Sequence, residues 1–393
     1  MKKMFTPIIL GLILFSFPSK IIFSQQPEKV YSIVKQIHNF DWYKTAAEDW
    51  KKLIDKNKTN AEAWMNYYIA NRMARMMYFQ QWKNSQGKYF EDLDTIVQHM
   101  EMCIPGTFEY YYIKYYNSNS IKEKDLENLF KAYKLEPNRP ELFDDMVMYY
   151  EIKQDKANEK KFCLKWFESN DLSPNILNWN YNVLMSLEKD GIIITNGDND
   201  TFPIWIIQYV KNIRPDIAVI NINLITIDDY RNKLFKECNI DSFNIDTSKF
   251  KNKQTYVFDL SRSILNHILH NSKTRPVYLA LTLNPAYYEN YKDKIYMVGL
   301  GFKYSEKDFD NIAYMINNYE HNWLLDYLVL DFSYDISSSV VNQINNNYLP
   351  VFAKLYEHFK LSGEENKMSK VKLLAKNVAE KSDALKYYNE LFK

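Results

Sequence analysis

The chain has 393 residues, 46% of them hydrophobic, which supplies enough apolar side chain for packed cores and excludes wholesale disorder. Lysine and arginine (50) balance aspartate and glutamate (49) with no long basic run, so a cationic surface for nucleic acid is excluded. Eight glycines against 32 tyrosines and 23 phenylalanines mean few tight turns, which favours long helices over a many-stranded architecture.

Residues 1–24 have the layout of a secretory signal peptide: Lys2 and Lys3, an apolar segment from Met4 to Phe17, and Ser24 as the cleavage-side residue. An uncleaved anchor is the alternative, but the apolar stretch is shorter than the roughly 20 residues of a spanning helix. No later run is long and apolar enough to cross a bilayer. The expectation is an exported, periplasmic protein with no transmembrane span once the signal is removed. Cys103, Cys163 and Cys238 form no C-x-x-C pair, so thiol redox and zinc chemistry are not indicated; one bridge with a leftover thiol, or three buried thiols, both fit.

From Glu28 to Lys189 the pattern reads as helical throughout. Amphipathic segments are expected at Tyr43–Asn57, Ala61–Phe79, Phe90–Cys103, Thr107–Tyr116, Lys124–Leu135, Glu141–Lys153, Ala157–Glu168 and Asn175–Leu187. Asn138 three residues before Glu141 looks like a capping box, and Ser173-Pro174 supplies an N-cap followed by proline at the first helical position. Lys134-Leu135-Glu136-Pro137-Asn138, matched further on by Asp171-Leu172-Ser173-Pro174-Asn175, resembles the junction of tetratricopeptide repeats. A divergent helical-repeat array follows, in which each helical pair leaves an apolar face for its neighbour. The many aromatics at helical spacing are then mostly inter-helix packing, and an aromatic groove for a peptide or sugar is the alternative.

Gly191–Tyr230 reads as a βαβ unit. Ile192-Ile193-Ile194 is a strand covered on both faces, the turn Thr195–Thr201 leads into a helix over Phe202–Asn212, and Ile217–Leu224 is a second, parallel strand. That topology puts Asp198, Asp200, Asn223, Asp228 and Asp229 beyond the carboxyl ends of the strands, where open α/β sheets bind ligands. A helix from Asp228 to Cys238, a polar insertion, a short strand at Tyr256-Val257-Phe258, a helix over Asp259–His270 and a strand over Val277–Leu283 come next. Pro215 and Pro276 each precede a strand, so Arg214 and Arg275 belong at the opposite edge, in structural roles. Ile295–Tyr304 is a strand interrupted by Gly299 and Gly301. The chain closes with a helical hairpin, Val340–Lys360 and Glu364–Glu380, broken at Ser362-Gly363.

Asp198-Asn199-Asp200 carries two readings. The carboxylates either cap the helix that follows, or they hold a divalent cation (Mg²⁺, Mn²⁺ or Ca²⁺) through oxygen. Asn196, Asp198, Asn199, Asp200, Asn223, Asp228 and Asp229 are the candidate ligand-binding residues, with Asp198 and Asp200 as the metal candidates; no catalytic residue is assigned. Asn221 and Asn223 are polar within an apolar strand and call for partners, for which the Asp198 turn is in reach. His267 and His270 stand one turn apart and lack a third ligand, as a solvated face would.

The stretch Ile194-Thr195-Asn196-Gly197-Asp198-Asn199-Asp200-Thr201-Phe202-Pro203 resembles a segment in the soluble C-terminal region of bacterial membrane proteins similar to protein O-mannosyltransferases. The resemblance runs on through Arg214-Pro215-Asp216, Val219-Ile220-Asn221, Arg275-Pro276-Val277-Tyr278 and Tyr296-Met297-Val298-Gly299-Leu300 to the closing helices, about half the chain. It implies an extracytoplasmic α/β module flanked by helical repeats. The membrane spans that precede this region in those proteins are replaced here, so no transferase residue carries over.

The expected fold is α and α/β, with a signal peptide (1–24), a helical-repeat domain (25–189), a small α/β domain with a mostly parallel sheet (190–305) and a C-terminal helical region (306–393). The expected function is an exported binding or assembly protein. Its repeats would hold a protein or glycoconjugate partner, and its α/β module a polar ligand at the acidic rim. A divalent-metal-dependent enzyme acting on a glycan or glycosyl carrier is the alternative, and a purely structural envelope component a third.

Overall fold

The computed structural model describes residues 26–393 apart from 246–249, 251–253 and 332–333, so the expected signal peptide lies outside the described residues. Among those described, no helix is long and apolar enough to cross a membrane.

Helices stack in antiparallel neighbours from Phe40 onward: α1 (Phe40–Lys56), α2 (Ala61–Met77), α3 (Phe79–Ser85), α4 (Leu93–Cys103), α5 (Phe108–Ser118), α6 (Glu123–Leu135), α7 (Phe143–Lys153), α8 (Lys156–Glu168) and α9 (Pro174–Met185). Their starts follow from local chemistry. Asn39, Asn60 and Thr107 accept backbone N–H groups of the first turns of α1, α2 and α5, and Ser173 caps α9 from Asn175 and Ile176 with Pro174 behind it. The expected capping box at Asn138 and Glu141 does not form: a short turn over Pro140–Leu142 starts at Arg139, and Glu141 spends its carboxylate on Arg139 and Lys29.

A larger correction concerns the start of the chain. Residues 26–39 are not helical, and apart from a turn at 33–35 they run as an irregular strap across the array.

The βαβ unit forms as expected. β1 (Ile192–Thr195) lies between β2 (Ala218–Asn221) and β3 (Val277–Ala280), parallel to both, with Ile193 opposite Val219 and Tyr278. The segment read as one interrupted strand is a hairpin, β4 (Ile295–Met297) and β5 (Gly301–Tyr304), and β5 joins β3 antiparallel to give the order β2-β1-β3-β5-β4. Gly299 sits at its turn with φ +143°, where an added Cβ would come within 2.6 Å of both the Ser186 hydroxyl and the Trp323 ring.

Alternating strand residues feed two layers. Ile193, Val219 and Tyr278 face α10 (Phe202–Lys211) and join one apolar core that runs through the array to the closing helices. Ile192, Ile194, Ile220 and Leu279 face the other layer, α11 (Asp228–Glu237) and α12 (Tyr256–Asn271). Tyr256, Val257 and Phe258 open α12 and are not a strand. The chain ends in α13 (Asn311–Asn317), α14 (Ser338–Asn345), α15 (Tyr348–Leu361), α16 (Glu365–Lys381) and α17 (Leu385–Leu391), with α15 packed along α16.

At the strand starts, Arg214 donates to the carbonyls of Leu184, Leu187 and Glu188 at 2.8 Å each, and Arg275 to those of Asp190, Gly191 and Asp216. Both arginines tie strand starts to neighbouring loops, a structural role. Cys103, Cys163 and Cys238 are all free; the last two are buried.

Candidate functional site

The turn after β1 is built by Asp200. Its buried carboxylate accepts the backbone N–H of Gly197 (2.7 Å) and of Asn196 (2.9 Å) and the hydroxyl of Thr282. A Thr195–Thr201 hydroxyl pair (2.7 Å) and the Asn221 amide, which donates to Thr201 at 3.0 Å, lock the start of α10. Asn223, just beyond β2, donates to the carbonyl of Asn196 at 2.9 Å. The polar residues near the second strand thus close onto the first turn.

Asp198 and Asn199 face away from this network, toward the array. The backbone carbonyl of Asn199 accepts from the buried Asn180 amide at 2.8 Å, and its own side-chain amide donates to the carbonyl of Val34 at 2.9 Å. Asp198 lines a cavity of about 120 Å³ between the strap, the array and the α/β turn. Tyr112 and Tyr116 of α5, Asp144 of α7, Trp166 of α8 and Phe202 also line it.

The strap roofs this cavity. Val30, buried, donates its N–H to the side-chain carbonyl of Asn66 at 2.7 Å, while the Asn66 amide donates to Glu62 O of its own helix and fixes that orientation. Lys29 pairs with Glu141 at 2.8 Å, Lys35 pairs with Asp171, and the N–H of Ile37 donates to Ser339 at 3.1 Å. Burial would raise the Glu141 carboxyl, but Arg139 and Lys29 overcome it and hold the group at about 2.

The other carboxylates go the opposite way. Burial, with Asp145 and Asp198 close by, pushes Asp144 well up; burial and Asp200 raise Asp198; and burial raises Asp200 despite its three donors. The Asp198 carboxylate has no hydrogen-bond donor and no cation partner among the described residues. It remains reachable by solvent through the cavity.

The predicted rim therefore divides. Asn196, Asp198, Asn199, Asp200 and Asn223 come together at one turn. Asp228 and Asp229 do not join them: Asp228 pairs with Arg231 at 2.7 Å, and both aspartates line a separate depression with Phe243 and Tyr256. Of the two metal candidates, Asp200 is taken up by three donors and Asp198 keeps its carboxylate free, with Asp144 on the same cavity. Among the described residues no group of three or more His, Cys, Asp or Glu side chains is placed to hold a metal. His267 contacts the carbonyl of Asp241 (2.7 Å) and His270 the hydroxyl of Tyr291 (3.1 Å). The sequence reading missed Lys29, Lys35, Asn66, Asp144 and Asp171 as site residues.

The model of the family described as TMEM260-associated domain 2 matches residues 177–255, from α9 through the β1 turn and α11. No curated protein matches the chain. The crystal structure of yeast Tom70 aligns with 90% of this chain at 10% identity and a TM-score of 0.25, and the chain spans 57% of that one. A score that low does not establish a shared fold.

Proposed function

We propose that this is an exported binding or assembly protein, in which the helical array holds an extended segment of a protein or glycoconjugate partner and the cavity at Asp198 reads a polar group on it. The observation that carries this reading is the strap itself. The array holds a non-helical segment of this chain by main-chain groups, through the side chains of Asn66, Asn199 and Ser339, with a paired carboxylate toward each end of residues 29–35. Backbone recognition of this kind accepts many sequences, and the flanking charges select among them. The signal-peptide pattern of residues 1–24 supports export to the periplasm. The TMEM260-associated match and the resemblance to O-mannosyltransferase-like proteins support a glycoprotein setting.

The test is site-specific photo-crosslinking in the exporting cell. A crosslinker at Tyr112, in the cavity, is compared with one at Leu361, on the closing helices and 89% exposed. A reproducible partner caught from Tyr112 and absent from Leu361 is expected. Equal capture at both positions, or none at either, refutes the reading.

A further inference from the structure

We infer that the cavity beneath the strap is a binding site for a primary alkylammonium ion, whose ammonium group sits at Asp198 and Asp144 and whose carbon chain lies along the aromatic and aliphatic wall. The inference rests on the binding role proposed above and names the chemistry of the group that the cavity reads.

Charge is the first observation. Six charged side chains line the cavity. Lys29 pairs with Glu141 and Lys35 with Asp171, which leaves Asp144 and Asp198 without a cation among the described residues. The Asp144 carboxylate accepts the N–H of Asp145 at 2.8 Å, and the Asp198 carboxylate has no donor. Asp145, beside them, is already served by the Tyr115 hydroxyl at 2.9 Å and by the charge of Arg72. Protein crowds Asp198 on nearly every side, yet its side chain stays open to the cavity space. Burial raises both carboxyls, and the charge on Asp198 adds to that effect at Asp144. An incoming ammonium offsets both, as a buried carboxylate calls for a paired cation.

The walls are the second observation. Tyr112 and Tyr116 stack with ring centres 5.8 Å apart, and Trp166 tilts against Phe202 at 5.9 Å; all four rings border the cavity. Aromatic faces attract a cation that has left water. Met65, Ile69 and Ile176 extend an apolar lining that matches methylene groups and gives sugar hydroxyls few partners. The volume of about 120 Å³ is room for on the order of ten waters at about 10–15 Å³ each, so the ligand is compact.

The probe is n-butylammonium, titrated against the full chain by calorimetry and by saturation-transfer NMR, with n-butanol as its uncharged match. Butylammonium is expected to bind at least about tenfold more tightly than butanol, and Asp198→Asn, with an unchanged melting profile, to lose about tenfold of that affinity. Asp144→Asn should lose a similar factor; if that variant does not fold, the butanol comparison and Asp198→Asn decide alone. Equal binding of the two probes, or a butylammonium affinity untouched by Asp198→Asn, overturns the inference. Tighter binding of glucosamine overturns it as well, in favour of an amino sugar. Nα-acetyl-lysine methylamide separates two sources of the same group: binding tighter than that of butylammonium assigns it to a partner's lysine side chain, and weaker binding to a free amine. A partner captured from Tyr112 with no binding of butylammonium would leave the binding role standing and remove this inference alone. Asp198-dependent binding of butylammonium with no captured partner would keep the site and remove the partner.

Discussion

The hydroxyl of Tyr230, on α11, donates to the carboxylate of Glu151, on α7, at 2.7 Å, across the seam between the α/β unit and the helical array. Beside it Tyr209 of α10 donates to Glu159 of α8 at 3.0 Å, and Lys156 stands 2.7 Å from Glu151 and 3.5 Å from Glu159. One ammonium thus serves two carboxylates, both fully buried. Burial, with Glu151 adjacent, raises the Glu159 carboxyl well above the usual range.

The seam should therefore respond to pH. Between the ordinary glutamate value of 4.5 and the raised one, folded Glu159 keeps a proton that the unfolded chain has released. Folding takes up a proton there, so stability is fully present below that window and is lost as pH rises through it. Glu159→Gln should flatten the fall of melting temperature between pH 5 and pH 9 and gain about 1–2 kcal/mol at the alkaline end. An unchanged slope in the variant would mean that Glu159 is ionised in the folded protein.

The two aspartates of the β1 turn should behave differently. Asp200→Ala strands the N–H groups of Asn196 and Gly197 and should cost about 2–4 kcal/mol in urea unfolding. Asp198→Asn removes a carboxylate with no donor and should stay within about 0.5 kcal/mol of the parent. A large loss from Asp198→Asn would point to a partner for that side chain.

Mg²⁺, Mn²⁺ or Ca²⁺ at millimolar concentration should leave the melting temperature unchanged, because Asp200 is committed to three donors and cannot join Asp198 around a cation. A rise that saturates with cation and vanishes in Asp198→Asn would restore the metal-dependent reading.

Much of the α/β unit was legible because its signals are local. Three consecutive isoleucines, a turn of Asn, Gly and Asp, and Pro203 near the start of α10 each act within a few residues of where they stand. The strap was misread for an equally physical reason. Val30, Ile33, Val34 and Ile37 have the spacing of a helical stripe, yet polar groups of their main chain are taken by Asn66, Met73, Asn199 and Ser339, all distant in sequence. Asp144 gave no signal, since an aspartate in the first turn of a helix is ordinary. Topology alone predicts Asp228 and Asp229 at the same rim, but the turn over Leu224–Thr226 carries them past it to the other depression.

Gly299→Ala should be among the costliest small substitutions. The position combines a left-handed φ with contacts at 2.6 Å to Ser186 and Trp323, and the indole N–H of Trp323 donates to Ser186 at 3.0 Å. A loss of about 2–4 kcal/mol in chemical unfolding is expected. Gly363→Ala, where φ is also positive but nothing lies within 4 Å of the added carbon, should lose less.

Thiol accessibility gives a further check. Cys103, half-buried, should react with a small maleimide in the native protein, whereas Cys163 and Cys238 should react only on unfolding. Burial raises both of these thiols, which further slows attack. Native labelling at all three positions would contradict the packing of α8 and α11.

The apolar core that starts at Val30 and reaches Phe392 without interruption bears on how this chain is divided in the laboratory or in evolution. Truncation after α9 would strip α10 of the α8 and α9 surface it packs against and leave Trp179 bare on the other side. Neither half would be expected to stay in solution alone, so a break between α9 and β1 would cost both parts their footing.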